Sequence, residues 1–135
     1  MPVTTINPPG LPTPKGYAHV SVATGARLIH IAGQAAHDPD GTIVGPGDLS
    51  AQTERALGNV AIALAAAEAT FDDVVNLTFY VPNWDESKYP ALAEGIRAAA
   101  VALGINPIKP GALIGVAGLG RPEWLIEISA AAVTT

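Results

Sequence analysis

The stretch Asp72-Asp73-Val74-Val75-Asn76-Leu77-Thr78-Phe79-Tyr80-Val81-Pro82 decides the fold. Val75, Leu77, Phe79 and Val81 alternate with Asn76, Thr78 and Tyr80. That is the two-residue period of a half-buried strand, and Pro82, which cannot donate to a ladder, ends it. Helical patterns lie on both sides. Upstream, from Ser50 to about Ala69, Leu57, Val60, Leu64 and Ala67 recur at three- and four-residue steps on an alanine-rich segment that Asp48 or Ser50 can cap. Downstream, a second helix starts near Asp85 and sets Tyr89, Leu92, Ile96, Ala99 and Leu103 on one side before Gly104-Ile105-Asn106-Pro107 stops it.

The ends supply the remaining strands. Tyr17 to Ala23 and Arg27 to Gly33 are β-rich runs joined by Thr24-Gly25-Ala26, a connection short enough to predict a hairpin. Before them, Pro2, Pro8, Pro9, Pro12 and Pro14 remove backbone donors and predict extended, irregular chain up to about Gly16. Ala112 to Ala117 and Trp124 to Ala132 close as two strands around Gly118-Leu119-Gly120-Arg121-Pro122. The order β-β-α-β-α-β-β predicts one α+β domain over residues 1–135, with a mixed sheet of about five to six strands and both helices on one face.

Composition narrows the function classes. With 135 residues, 49% of them hydrophobic and 14% charged, the chain has enough apolar mass for one packed core. Absence of cysteine excludes disulfides, thiolate zinc sites and thiol catalysis. Met1 to Pro14 hold no basic segment followed by an apolar core, and no apolar run approaches the roughly 20 residues of a membrane span. A cytoplasmic chain with no membrane partner is expected. The formal charge of −5, with the seven bases spread singly, gives no phosphate-tracking stripe, so nucleic acid is not an expected partner.

One face of the expected sheet stands out. Val20, Val22, Ile29, Ile31, Leu77, Phe79, Ile126 and Ile128 share the parity that suits the helices. The opposite parity carries Tyr17, His19, Ser21, Leu28, His30, Thr78, Tyr80, Leu125 and Glu127, too apolar for plain solvent and too polar for an ordinary core. Such a face predicts a homo-oligomer with polar sites set into the subunit interface. Glu127 interrupts the apolar run Trp124-Leu125-Ile126 and Ile128, where an unpaired charge would cost several kcal/mol if desolvated. It either works in a cleft or shares a water-facing side with Leu125 and Ser129.

Other constellations are incomplete. Asp38-Pro39-Asp40-Gly41 lacks the remaining ligands of a calcium loop and reads as a turn. His19, His30 and His37 do not have helical ligand spacing, and the chain has no nucleophile elbow, P-loop or dinucleotide fingerprint. Neither a metal nor a cofactor is expected. Gln34, Gln52 and Asn59 read as structural amides tying helix to loop.

Several segments in register resemble one family. Tyr17-Ala18-His19-Val20, Ile31-Ala32-Gly33-Gln34 and Gln52-Thr53-Glu54-Arg55-Ala56-Leu57-Gly58-Asn59-Val60 are similar to the Rid family, the reactive intermediate deaminases also called YjgF. Pro110, Val116-Ala117-Gly118-Leu119 and Leu125-Ile126-Glu127-Ile128 agree with that family's closing strands. The resemblance implies a chorismate-mutase-like fold, a homotrimer with inward-facing sheets, and clefts between subunits that take a small molecule. Founding-type members hydrolyse imines or enamines of amino acids to 2-oxo acids and ammonia without metal or cofactor.

The resemblance also assigns residues. Glu127 matches the cleft carboxylate that positions water or shuttles a proton, and Tyr17 matches a residue near the cleft. His19 lies two positions along the same strand face. Gly33 would let a ligand or a neighbouring backbone approach closely. The family's carboxylate-binding arginine, which follows the proline of the penultimate strand, falls here on Gly111 or Ala112, and Pro110 to Ile114 contain no base. Lys109 is a flexible point charge and does not reproduce the guanidinium fork. Ser87-Lys88-Tyr89 stands where the family has an asparagine on the second helix. The chain therefore resembles an arginine-lacking branch, with Tyr17, His19, Gly33 and Ala112 as substrate-binding candidates. It would be either an imine hydrolase of altered specificity or a non-catalytic binding trimer. Ribonuclease activity, attributed to some family members, suits the acidic balance poorly.

Overall fold

The computed structural model describes residues 3–135. Its elements in chain order are β1 (Val3–Ile6), β2 (Val20–Ala23), β3 (Arg27–Gln34), α1 (Leu49–Ala66), β4 (Val74–Pro82), α2 (Tyr89–Leu103), β5 (Leu113–Val116) and β6 (Glu127–Thr134). Single 3-10 turns at Phe71–Asp73 and Glu86–Lys88 lead into β4 and α2. Two helices and six strands match the expected α+β class.

The strands form a four-stranded sheet in the order β3-β6-β4-β5 and a separate two-stranded ribbon, β1-β2. β6 runs antiparallel to both β3 and β4, whereas β5 runs parallel to β4. Parallel neighbours need a crossover, and α2 supplies it. The alternation is present from Asn76 onward, with Leu77 and Val81 buried and Asn76 exposed, but a register shift between Val74 and Asn76 buries Val74 and leaves Val75 half-buried.

This pairing corrects three expectations. The Pro-rich start is not irregular throughout, because Val3–Ile6 forms a strand ahead of the prolines at 8, 9, 12 and 14; Pro2 lies outside the described residues. That strand pairs with β2, so Val20–Ala23 and Arg27–Gln34 are not a hairpin. Val20 and Val22 accordingly stay exposed instead of facing the helices. A short connection brings two strands close, but long-range partners with matching ladders compete for their edges. The ribbon is fastened to the sheet by Ser21 Oγ, which donates to the Val75 carbonyl at 2.7 Å. The closing strands do not pair with each other either, since β4 lies between β5 and β6.

The helices begin and end where the chain's chemistry dictates. Asp48 caps α1, its carboxylate accepting from the Ala51 amide at 3.0 Å. Asp85 opens the turn before α2, and Gly104, at φ 64°, closes α2 in the left-handed region. On α1 the buried positions include Leu57, Val60 and Leu64, as the spacing predicts. On α2 the buried positions are Leu92, Gly95 and Ala99, whereas Tyr89 and Leu103 at the two ends are exposed. The helices approach closely at Gly95, where a Cβ would lie 2.5 Å from the Ser50 carbonyl oxygen.

The core lies between α1 and the sheet. Leu57, Val60, Leu64, Leu77, Ile126 and Ile128 are fully or nearly fully buried there, each contributing about 1.5–3 kcal/mol by leaving water. β6 alternates strictly, with Ile128, Ala130 and Ala132 buried and Glu127, Ser129, Ala131 and Val133 half-buried on the other face. No helix of the described residues is long and apolar enough to cross a membrane.

Candidate functional site

Glu127 is the first residue of β6 and lies opposite Tyr80 of β4, which in turn lies opposite Ile114 of β5. One row across the sheet therefore carries a carboxylate, a phenol and an aliphatic side chain on the face away from the helices. The next row pairs Ser129 with Thr78. Across the other edge, Leu28 is 66% exposed and His30 is also exposed. Glu127 is half-buried, and neither ion pair of the described residues, Arg55–Asp38 or Arg121–Glu123, involves it.

Gly33 is the structural neighbour that shapes this position. The β3–β6 register passes from Ile31 opposite Ala130 to Gln34 opposite Ile128, so β3 carries one extra residue in a bulge at Ala32-Gly33. The bulge turns the Gly33 backbone toward the start of β6. A Cβ added there would lie 2.6 Å from Glu127 Cδ and 2.7 Å from Oε2. Only a residue without a side chain leaves the carboxylate its present place.

The frame behind Glu127 is held by amides read as structural from the sequence. Gln52 is fully buried; its Nε2 donates to the carbonyls of Gly45 (3.1 Å) and Glu123 (3.2 Å), and its Oε1 accepts from the Leu125 amide at 2.9 Å. This one side chain ties α1 to both loops that border the entry to β6. Asn59 donates to the carbonyls of Ala35 and His37, fixing the chain just after the bulge. Gln34 only reaches back to the Ala32 carbonyl.

Ala112 is exposed, and its carbonyl accepts from the Phe79 amide at 2.8 Å, extending the β5 ladder along β4. Two strand spacings, roughly 10 Å, separate that ladder from β6. Gly111 is fixed more tightly: a Cβ there would lie 1.7 Å from the Leu77 carbonyl oxygen. Of the two positions onto which the arginine falls, Ala112 alone has room for a side chain.

Tyr17 and His19 meet each other, with ring centroids 5.2 Å apart in an edge-to-face arrangement. His19 is bound into the N-terminal loop, its backbone amide donating to Asn7 Oδ1 at 2.9 Å and its Nε2 lying 2.7 Å from the Pro12 carbonyl. The pair flanks Ala18, whose amide donates to the Lys109 carbonyl, level with the start of β4. Glu127 lies level with Tyr80 near its far end, about 10–15 Å along the strand. A single chain thus brings Gly33 to Glu127 but leaves Tyr17 and His19 apart from both.

Lys109 does not approach Glu127 within the chain. It is 8% exposed, near Asp72 and Asp73 at the opposite end of β4. Burial pushes its ammonium below the usual lysine range, and the two carboxylates partly offset this. Asp38-Pro39-Asp40-Gly41 forms a turn closed by the Gly41 amide on the Asp38 carbonyl and by the Asp38 amide on the Thr42 carbonyl. Hydrogen bonds from Thr42 to the Asp40 carboxylate hold that group below the usual range. Among the described residues no group of three or more His, Asp or Glu side chains is placed to hold a metal ion. Tyr80 is the site neighbour that the sequence reading did not single out; its parity with Glu127 was the available signal.

The family Endoribonuclease L-PSP matches residues 11–134. The chain belongs to this family, the Rid or YjgF proteins. A Rid-family protein of unknown function, YyfB from Yersinia pestis, is 38% identical over 99% of this chain and 100% of its own, with a TM-score of 0.87. Rv2704 from Mycobacterium tuberculosis, a member of the YjgF/YER057c/UK114 family, is 28% identical over 98% and 99% of the two chains, with a TM-score of 0.61. The YjgF gene product of E. coli is 25% identical over 98% and 99%, with a TM-score of 0.69. The sheet, the two helices and their order are thus those of the Rid fold.

Proposed function

We propose that this Rid protein works as a homotrimer whose inter-subunit clefts bind a small electrophile, an imine or enamine, and hydrolyse it with Glu127. The observation that carries the reading is the carboxylate set against bare Gly33 backbone on the open sheet face, with Tyr80 and Ile114 beside it. Leu28, His30 and Val133 on that face leave apolar and polar surface together, which suits a second copy of the chain. The distance of Tyr17 and His19 from Glu127 also favours clefts built by two copies, with these residues coming from the neighbour.

The chemistry asks little of the protein. Water adds to the carbon of the protonated imine while Glu127 accepts its proton, giving a neutral carbinolamine; the carboxyl returns that proton to the nitrogen, and ammonia departs as the carbinolamine hydroxyl gives its proton back to the carboxylate and becomes the carbonyl. No base in Pro110 to Ile114 is available to fork a substrate carboxylate, so Ala112 would line a cleft suited to imines without that group. The same absence supports a second reading, a trimer that binds a small molecule without turnover. Ammonia and carbonyl-product release from freshly generated imines, with and without a carboxylate, tests both. Turnover of carboxylate-free imines that Glu127→Gln abolishes supports the hydrolase; saturable binding with no turnover by wild type transfers the case to the binding trimer.

A further inference from the structure

On the other side of the β3 bulge, the chain forms an open recess of about 550 Å³ that has no part in the chemistry above. Three segments converge there: the loop after β3, the middle of α1, and the turn Arg121-Pro122-Glu123-Trp124. Pro122 sits at the second position of that turn, where its fixed φ is favoured, and the Trp124 amide closes it on the Arg121 carbonyl at 3.2 Å. One tight turn thereby delivers a guanidinium and an indole to the same recess. Gly120 makes room for the indole, since a Cβ there would come within 3.1 Å of the ring.

The opposite wall is tied together by polar contacts. Arg55 is held by Asp38 at 3.0 Å and by Asn59 Oδ1 at 3.2 Å, while the same Asn59 amide binds the loop through the carbonyls of Ala35 and His37. Asp38 offsets the charge of Arg55. Arg121 is different: its side chain is 65% exposed, and its contact with Glu123 is a distant 3.9 Å. With each arginine facing one carboxylate the recess is close to neutral, and a ligand monoanion would take the place of the loosely held Glu123 at Arg121. Apolar surface completes the wall. The rings of His37 and Trp124 lie 6.3 Å apart at 33°, and Ile62, 67% exposed, extends them along α1.

We propose that this recess is a second binding site, for a small molecule that joins a flat apolar body to a carboxylate. The ring lies along Trp124 and Ile62, and Arg121 meets the carboxylate in the forked geometry that guanidinium favours. The volume falls in the range of small-ligand sites.

Benzoate is the probe, with benzyl alcohol as its uncharged counterpart. The chain has two tryptophans, and Trp84 packs against Gly115 outside the recess, so the two indole N–H resonances serve as reporter and control. Benzoate is expected to shift the Trp124 signal saturably and leave Trp84 in place. Benzyl alcohol and the Arg121→Ala variant should each weaken the effect about tenfold or more. Arg121 is exposed, so its removal leaves the fold intact. Glu127→Gln should not change benzoate affinity. The absence of a saturable Trp124 shift overturns the proposal, as does equal affinity for benzyl alcohol, an unaffected Arg121→Ala protein, or a loss on Glu127→Gln that would move the probe to the sheet face.

Discussion

The carboxylate of Glu127 fills the space that a side chain at Gly33 would need, with only 2.6 Å between Glu127 Cδ and an ideal Cβ on Gly33. The colliding atoms are the far end of a flexible side chain. Gly33→Ala should therefore cost little stability, within about 1 kcal/mol, while forcing the carboxylate into another rotamer. Under the hydrolase reading, turnover falls toward that of Glu127→Gln with the unfolding midpoint nearly unchanged. Full activity in a folded Gly33→Ala protein would show that the position of this carboxylate does not matter.

Gly111 and Ala112 should respond in opposite ways. A Cβ at Gly111 meets a backbone carbonyl oxygen at 1.7 Å, and backbone within a ladder does not give way cheaply. Gly111→Ala should lose at least about 2 kcal/mol in urea unfolding. Ala112→Arg should fold normally and, if the cleft reading holds, raise hydrolysis of carboxylate-bearing imines about tenfold or more. Equal stability of the two variants would contradict the close approach to Leu77.

Gln52 supports the start of β6 from beneath. Replacement by leucine keeps the volume but leaves the Leu125 amide and the Gly45 and Glu123 carbonyls without this partner. The expected loss is about 2–4 kcal/mol, with faster hydrogen exchange at the Leu125 amide. A stable Gln52→Leu protein with unchanged exchange would remove Gln52 from the support of the site.

Lys109 gives stability a pH dependence of known sign. Its folded-state pKa is lowered from 10.5 by burial, so between that lower value and 10.5 the unfolded chain holds more protons than the folded one. Stability then rises with pH through this window, and the cost of the buried charge is fully present below it. Lys109→Met should be more stable than wild type at about pH 7, and the gap should shrink toward about pH 10. Parallel curves for the two proteins across that range would refute this account.

The main elements of the fold were legible because their signals are local. The alternation from Val75 to Val81, the α1 spacing of Leu57, Val60 and Leu64, and the stops at Pro82 and Gly104 each depend on neighbours a few residues away. Strand partners were not legible in the same way. Thr24-Gly25-Ala26 looks like a hairpin turn, yet β2 pairs with Val3–Ile6 and β3 with β6, because edges are claimed by whichever distant strand completes the larger sheet.

By itself, then, the sequence determined the α+β class, the capped helices, the strand that carries Glu127 with its open-face parity, and membership of the Rid family. Periodicity, capping chemistry and motif identity are all written along the chain. Tertiary structure decided that Gly33 touches Glu127, that Gly111 has no room for a side chain where Ala112 does, that Lys109 is buried near Asp72 and Asp73, and that Arg121 and Trp124 share a recess with Arg55. These depend on a bulge, a register and a turn that bring together residues tens of positions apart, and no local pattern encodes the distance between them.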